Sequence, residues 1–246
     1  MIGPSTRQTR WLTATVAVVL LGTLWHWLHV RSLEALLLHD WPDELTHRPD
    51  MVRFAVSLAQ PLYADHCSSC HGGDLRGNRR LGTPDLTDSV WLYGDGSIAD
   101  IETSIRYGIR SGHPKAHNVT DMPPEGRTRQ LSTDEVRDVV EYVLALGRAP
   151  HDHVAAERGR KLFYGKGNCY DCHASDAEGN TDYGAPSLVR RDLPHGRDRQ
   201  SLYQSVYSGR HGLCPAWAGR FTPAQIRALA ALLYTESHAD VRRAGP

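Results

Sequence analysis

The chain has 246 residues, 40% of them hydrophobic, and its 28 Lys and Arg are balanced by 28 Asp and Glu for a net charge of zero. That composition suits one large or two small globular domains and excludes the broadly basic surface that nucleic acid requires. Four of the five cysteines fall in two C-x-x-C-H motifs, which leaves no pair for a structural disulfide once those motifs are used.

The first predicted element is a membrane helix. Trp11 to Val30 contains no Asp, Glu, Lys or Arg, and about 20 helical residues reach roughly 30 Å, the thickness of the hydrocarbon core. Arg7 and Arg10 precede the span, whereas Glu34, Asp40, Asp43 and Glu44 follow it. This asymmetry predicts a single pass through a bacterial cytoplasmic (inner) membrane, with the N-terminus cytoplasmic and the remainder periplasmic. Trp11, Trp25 and Trp27 lie near the ends of the span, where indole rings favour the headgroup level. A cleaved signal peptide is the alternative, but the stretch is long for one and Trp25 to Leu38 offers no small-x-small cleavage site. Residues 1–50 therefore read as an anchor followed by a linker at 39–50, where Pro42 and Pro49 stand among charged residues.

Beyond the linker the sequence repeats itself. Cys67-Ser68-Ser69-Cys70-His71 and Cys169-Tyr170-Asp171-Cys172-His173 are each the signature of covalent c-type haem attachment. The paired thiols (Cys67 and Cys70, Cys169 and Cys172) form thioethers with the haem vinyl groups, and His71 and His173 become the proximal iron ligands. Leu62-Tyr63 and Leu162-Phe163 precede the motifs as apolar positions of a short entry helix, and Pro84 and Pro186 stand at the same distance behind each histidine. Each copy closes with a capped amphipathic helix. Ser132 with Glu135 introduces Val136 to Leu146, and Thr222 with Gln225 introduces Ile226 to Tyr234. Strand-like alternation is nearly absent. The predicted fold is all-α: the anchor, a first cytochrome c domain over 51–149, a second over 150–246, and two covalent haem c groups.

A six-coordinate haem needs a distal ligand as well. Met122 in Asp121-Met122-Pro123-Pro124 precedes the Ser132 cap, where a loop would cross the distal face, and gives His71/Met122 at the first haem. The second copy has no methionine. Cys214 in Leu213-Cys214-Pro215-Ala216-Trp217 stands at the matching place and gives His173/Cys214 at the second haem, with a thiolate lowering the potential. Three other states fit the same residues: His211 as the distal ligand, a five-coordinate open iron, or Cys214 as a small buried hydrophobe. His113 and His117 fall in a polar insertion before Met122, and His151, His153, His195 and His238 fall in Pro, Gly or chain-end contexts and are expected to be solvated. No Ser/His/Asp group, carboxylate pair or phosphate loop is present, so the chain is expected to transfer electrons without a catalytic site of its own.

These residues resemble the dihaem subunit (subunit III) of cbb3-type cytochrome c oxidases. The resemblance runs from Leu62 to the last helix and is most specific at Leu86-Thr87-Asp88 to Trp91-Leu92-Tyr93-Gly94, and at Gly209-Arg210-His211-Gly212 to Pro215-Ala216-Trp217. It implies an N-terminal anchor with two class I cytochrome c domains, and Pro84 and Pro186 carbonyls that hold the proximal histidines. It also implies electron relay from a periplasmic donor towards the membrane-embedded catalytic subunit, in company with a monohaem subunit. Family members usually have methionine where this chain has Cys214. Two other function classes suit that difference: a tethered dihaem carrier for a periplasmic dehydrogenase, and a redox or gas sensor that uses the unusual second haem.

Overall fold

The computed structural model describes residues 6–117 and 121–239. The side chains of Arg7 and Arg10, on which the expected orientation of the anchor rests, lie outside the described residues. Among the described residues the secondary structure is helical, with only isolated β-bridges between loops.

Helix α1 runs from Thr6 to His39 without a break. At 1.5 Å per residue that is about 50 Å, longer than a bilayer core. The extension has a local cause, because Ser32 to Leu38 is rich in Leu, Ala and Glu, all strong helix formers. Its segment Ala14–His39 is long and apolar enough to cross a membrane, and Val18, Leu20, Leu21 and Trp25 are all more than half exposed. Only the last turns meet the rest of the chain, where Leu37 is buried.

The expected linker is structured. Pro42–His47 forms a 3-10 helix that buries Leu45, and the Asp43 carboxylate accepts a hydrogen bond from the Ile98 N–H at 2.7 Å. Helix α2 (Pro49–His66) follows at once and leads into the single turn α3 (Ser68–His71), which carries the first attachment motif. Helix α4 (Ile98–Tyr107) is capped by Ser97, and α5 (Thr133–Leu146) begins with the complete Ser132/Glu135 capping box. The second copy repeats this order with α6 (His153–Tyr164), α7 (Tyr170–His173), α8 (Arg199–Ser208) and α9 (Pro223–Ser237), the last capped by Thr222 and Gln225.

The two cores do not follow the boundary expected at 149–150. Each closing helix covers the other copy. Helix α9 packs on α2 and α4, so that Ala228, Leu229, Ala230 and Leu232 share one core with Ala55, Ala59, Tyr63 and Ile101. Helix α5 packs on α6 and α8, joining Val136, Val139, Val140 and Val143 with Phe163, Leu188, Leu202 and Val206. The apolar residues of the two predicted closing helices are buried, but their partners are exchanged. Small residues allow the close crossings. A side chain at Gly159 in α6 would meet the Asp138 carbonyl of α5, and Ala59, the counterpart in α2, is fully buried under α9.

Arg227 of α9 ties the anchor to the first core. Its guanidinium pairs with Glu102 of α4 and donates to the carbonyls of Leu37 and Asp40, 3.2 Å each, at the end of α1. Those carbonyls have no partner within the helix and mark its negative end, so a buried cation satisfies both hydrogen bonding and dipole. Arg106 shares the Glu102 carboxylate. The side chains of Arg227 and Glu102 are 9% and 10% exposed.

Two outcomes are expected. Arg227→Ala leaves a buried carboxylate short of a partner and should cost about 3 kcal/mol, read as a lower denaturation midpoint, whereas a change within error would contradict the described role. Gly159→Val should cost roughly 1–3 kcal/mol by overpacking α6 against α5. Its optical changes should be confined to the haem on His173.

Candidate haem sites

Both attachment motifs use the same backbone scaffold. The N–H of His71 donates to the Cys67 carbonyl at 3.0 Å and that of His173 to the Cys169 carbonyl at 3.0 Å, which puts both thiols and the histidine of each motif on one helical turn. The following loops are pinned in parallel ways. Gly77 and Gly179 donate back to the His71 and His173 carbonyls at 2.9 and 3.0 Å, and Leu86 and Leu188 donate to Leu75 and Ala177 at 2.7 and 2.8 Å. These bonds bring each proline beside its histidine.

His173 Nδ1 lies 3.1 Å from the Pro186 carbonyl, which orients the ring with Nε2 free for iron. At the first site the Pro84 carbonyl is close enough to favour protonation of His71, but His71 Nδ1 is buried without a partner of hydrogen-bond geometry. Burial, the stronger influence at both histidines, holds their pKa values below the ordinary imidazole range. A neutral imidazole is the form that ligates metal. Burial likewise raises the thiols: Cys67 to about 11 with help from Cys214 and Cys70, and Cys169 to about 12 with help from Glu125.

The distal segments are exchanged as the closing helices are. Cys214 comes near enough to Cys70 and Cys67 of the first motif for their charges to be felt. Its own pKa is pushed to about 11, first by burial and then by Cys70. Its backbone pairs with Ile109 at the end of α4, with the Ile109 N–H donating to the Cys214 carbonyl and the Cys214 N–H to the Ile109 carbonyl, 2.9 Å each. The chain then runs on over α4 and α2, where Trp217 N–H donates to the Ile105 carbonyl and the Trp217 and Phe221 rings sit 5.6 and 5.2 Å from His66. Met122 packs in the second core with Cys169, Leu162 and Tyr207, and its backbone pairs with Arg210 after α8. Gly108 and Gly209, both at positive φ, end α4 and α8 where the other copy's segment passes. A side chain at Gly108 would meet the Cys214 carbonyl, and one at Gly209 the Met122 carbonyl. The expected neighbours, Met122 with His71 and Cys214 with His173, are therefore not the ones the fold brings together. The physical reason is that the loops after α4 and α8 cross between the copies before the closing helices begin.

His211 points elsewhere. Its Nδ1 lies 2.7 Å from Asp121, which also pairs with Arg110 at 2.6 Å, and the His211 side chain is 59% exposed. Arg110 donates to the Gly212 carbonyl at 2.9 Å, so Arg110, Asp121 and His211 lock the two distal segments to each other.

Sequence reasoning missed several residues of this junction. Tyr93 of the first copy lies against Gly184 of the second, and His195 of the second lies against Gly82 of the first. Tyr93 and His195 stand equally far behind Pro84 and Pro186, a spacing that could have identified them as counterparts. Burial lowers the pKa of His195, contrary to the expectation that it is solvated. His117 joins the same junction, stacking on Tyr93 at 4.7 Å and lying 3.2 Å from Ser104 Oγ.

The donor set fits covalent haem at both motifs. Two thiols and a neutral imidazole share a turn, a sulfur side chain comes from the facing segment, and the apolar helices close around them. Buried Trp91 Nε1 has no acceptor among the described residues, which suits a carboxylate-bearing group.

Comparison with known proteins agrees with this donor set. Residues 56–147 match the family model for cytochrome c, which implies covalently bound haem c, and residues 154–233 match that for cytochrome c oxidase, cbb3-type, subunit III. The cbb3-type cytochrome c oxidase subunit FixP of Bradyrhizobium sp. (strain ORS 278) is 35% identical over 76% of this chain and 63% of its own length. The subunit CcoP of Azospirillum brasilense is 33% identical over 78% and 65%, and FixP of Sinorhizobium medicae 30% identical over 83% and 68%. The chain thus spans a little under two thirds of the first two relatives. On these matches, and on the repeated attachment turns that underlie them, the chain belongs to the cbb3-type cytochrome c oxidase subunit III family.

Proposed function

We infer that the chain is a membrane-anchored dihaem cytochrome c that relays electrons into a cbb3-type oxidase, with no catalytic site of its own. The observation that carries this reading is the pair of attachment turns held by the same backbone hydrogen bonds, each with two thiols and a histidine, joined to a helix long enough to span a membrane. Cys67 and Cys70 attach one haem c and Cys169 and Cys172 the other. His71 and His173 are the proximal ligands, oriented by Pro84 and Pro186, and Met122 and Cys214 supply the distal ones. When bound, each haem iron takes up and gives back one electron.

The residues around the irons perform the rest. Two apolar cores exclude water, which favours the iron state of lower charge and holds reorganisation down. The Pro186 carbonyl behind His173 raises ligand basicity and fixes the ring. The Tyr93/Gly184 and His195/Gly82 contacts and the Arg110–Asp121–His211 group hold the two attachment loops and both distal segments in one fixed arrangement. Such rigidity suits transfer between fixed centres. Helix α1 places this assembly at the membrane, and Arg227 leaves little freedom between anchor and first core. Arg7 and Arg10 before the span, against Arg31 alone in the turns directly after it, support an N-terminus in the cytoplasm and haem domains in the periplasm. The expected partners are the catalytic and monohaem subunits of the oxidase together with a periplasmic donor.

The test is isolation of the tagged full-length chain from membranes of its own cell in mild detergent. Two haems per chain, resistant to acidic extraction, and a haem-copper catalytic subunit in stoichiometric amount are expected. Recovery with a dehydrogenase in place of the oxidase would overturn the functional reading.

A further inference from the structure

We propose that Tyr93, a residue of the first copy, positions the proximal ligand of the second copy's haem. Its ring, braced by His117, fixes the turn from Gly184 to Pro186 and with it the Pro186 carbonyl on His173. Tyr93 is a positioning residue and acts through that turn. The proposal deepens the reading of the chain as a dihaem cytochrome and rests on it.

The contacts run in an unbroken series from α4 to His173. Ser104 Oγ of α4 lies 3.2 Å from His117 Nε2. The His117 N–H donates to the Gly108 carbonyl at 3.2 Å, and its carbonyl accepts from the Arg110 N–H at 3.1 Å. So held, the His117 ring stacks on Tyr93 with centroids 4.7 Å apart. Tyr93 is buried, and its hydroxyl accepts from the Arg110 guanidinium. Arg110 is fixed in turn by Asp121 at 2.6 Å and the Gly212 carbonyl at 2.9 Å. The far end of the Tyr93 ring lies so close to Gly184 that a Cβ there would overlap Cζ and the hydroxyl. Gly184 has a φ of +68°, which glycine adopts without strain. Beside it Asn180 and Ala185 pair both ways, each N–H on the other's carbonyl at 3.0 Å. The next carbonyl, that of Pro186, meets His173 Nδ1 at 3.1 Å.

The first haem site offers an internal comparison. His195 takes the matching place against Gly82, with its ring bonded to the Arg79 backbone, and no ring stacks on it among the described residues. There His71 Nδ1 has no partner of hydrogen-bond geometry among the described residues. The two proximal loops are otherwise pinned by the same backbone bonds, so the braced ring accompanies the formed histidine bond. A carbonyl on Nδ1–H makes the imidazole a more basic ligand, which stabilises ferric iron and lowers the potential. Loosening the turn therefore raises the potential of the haem on His173. Burial holds the Tyr93 hydroxyl above its ordinary pKa, so the side chain is uncharged at neutral pH and its influence is geometric.

The experiment tells the haems apart by their attachment. Full-length protein carrying Cys67→Ala holds the first haem by one thioether, which leaves a vinyl group conjugated and moves its ferrous α-band to the red. The haem on His173 keeps its position. Potentials are titrated at both bands with Tyr93 in place, with Tyr93→Ala and with Tyr93→Phe. Hydrogen exchange of the His173 ring N–H is followed by nuclear magnetic resonance in the reduced protein with isotope-labelled histidine. Tyr93→Ala should raise the potential of the undisplaced band only and speed exchange of that proton. Tyr93→Phe keeps the ring on Gly184 and should leave both unchanged. If the Tyr93→Ala chain does not accumulate, His117→Ala should move the same band in the same direction by a smaller amount. A shift confined to the displaced band, equal shifts at both bands, or none at either would overturn the positioning role. So would a Tyr93→Phe variant that behaves as Tyr93→Ala does. All these results leave two haems per chain. Failure of the underlying reading would appear instead as a haem content below two before Tyr93 is changed.

Discussion

Everything in this molecule depends on how two small haem-binding units close their cores. A unit of roughly 100 residues has little apolar surface to bury, which makes the helix that closes it decisive. Here each closing helix lies on the other unit, α9 on α2 and α4, α5 on α6 and α8. The distal segments follow them, with Cys214 beside the first attachment turn and Met122 beside the second. Exchange of equivalent elements between copies is a low-cost arrangement because the contacts resemble those of an unexchanged unit. Its consequence is that neither half has a complete core or site without its neighbour, so the two haem sites are geometrically fixed to each other.

The anchor depends on the same exchange. Because α9 belongs to the first core, Arg227 can reach the exposed carbonyls at the end of α1 while pairing with Glu102. A buried ion pair is weak evidence of net stability, but a buried guanidinium satisfied by a carboxylate and two helix-end carbonyls is a strong geometric constraint. It fixes the direction in which the membrane helix leaves the first core. The 3-10 helix around Leu45, with Asp43 on the first amide of α4, adds a second tie at the same place.

Much of this was legible in the sequence because it is local. The two C-x-x-C-H turns, the Ser132 and Thr222 caps and the charge-free span from Trp11 each depend on neighbours within a turn or two, and each forms a helix or helical turn as expected. The apolar faces of α5 and α9 were also correctly located. Their partners were not, since periodicity says which side of a helix is buried and nothing about what covers it. The two faces are chemically similar, so aligning the copies led to Met122 with His71 and Cys214 with His173 by simple succession. The segment 39–50 misled for another reason. Its prolines and charges resemble a linker, yet Pro42 starts a 3-10 helix and Leu45 is buried in the first core. His195 shows a signal that went unused, because its spacing behind Pro186 repeats that of Tyr93 behind Pro84.

The exchange of closing helices is tested most directly by nuclear Overhauser contacts in the fully reduced, diamagnetic protein with labelled alanine, leucine and valine methyls. The account predicts cross-peaks from Ala55 and Ala59 of α2 to methyls of Ala228, Leu229 or Leu232 in α9. Cross-peaks from those alanines to Val139 or Val140 of α5 would show each helix covering its own copy and would contradict it.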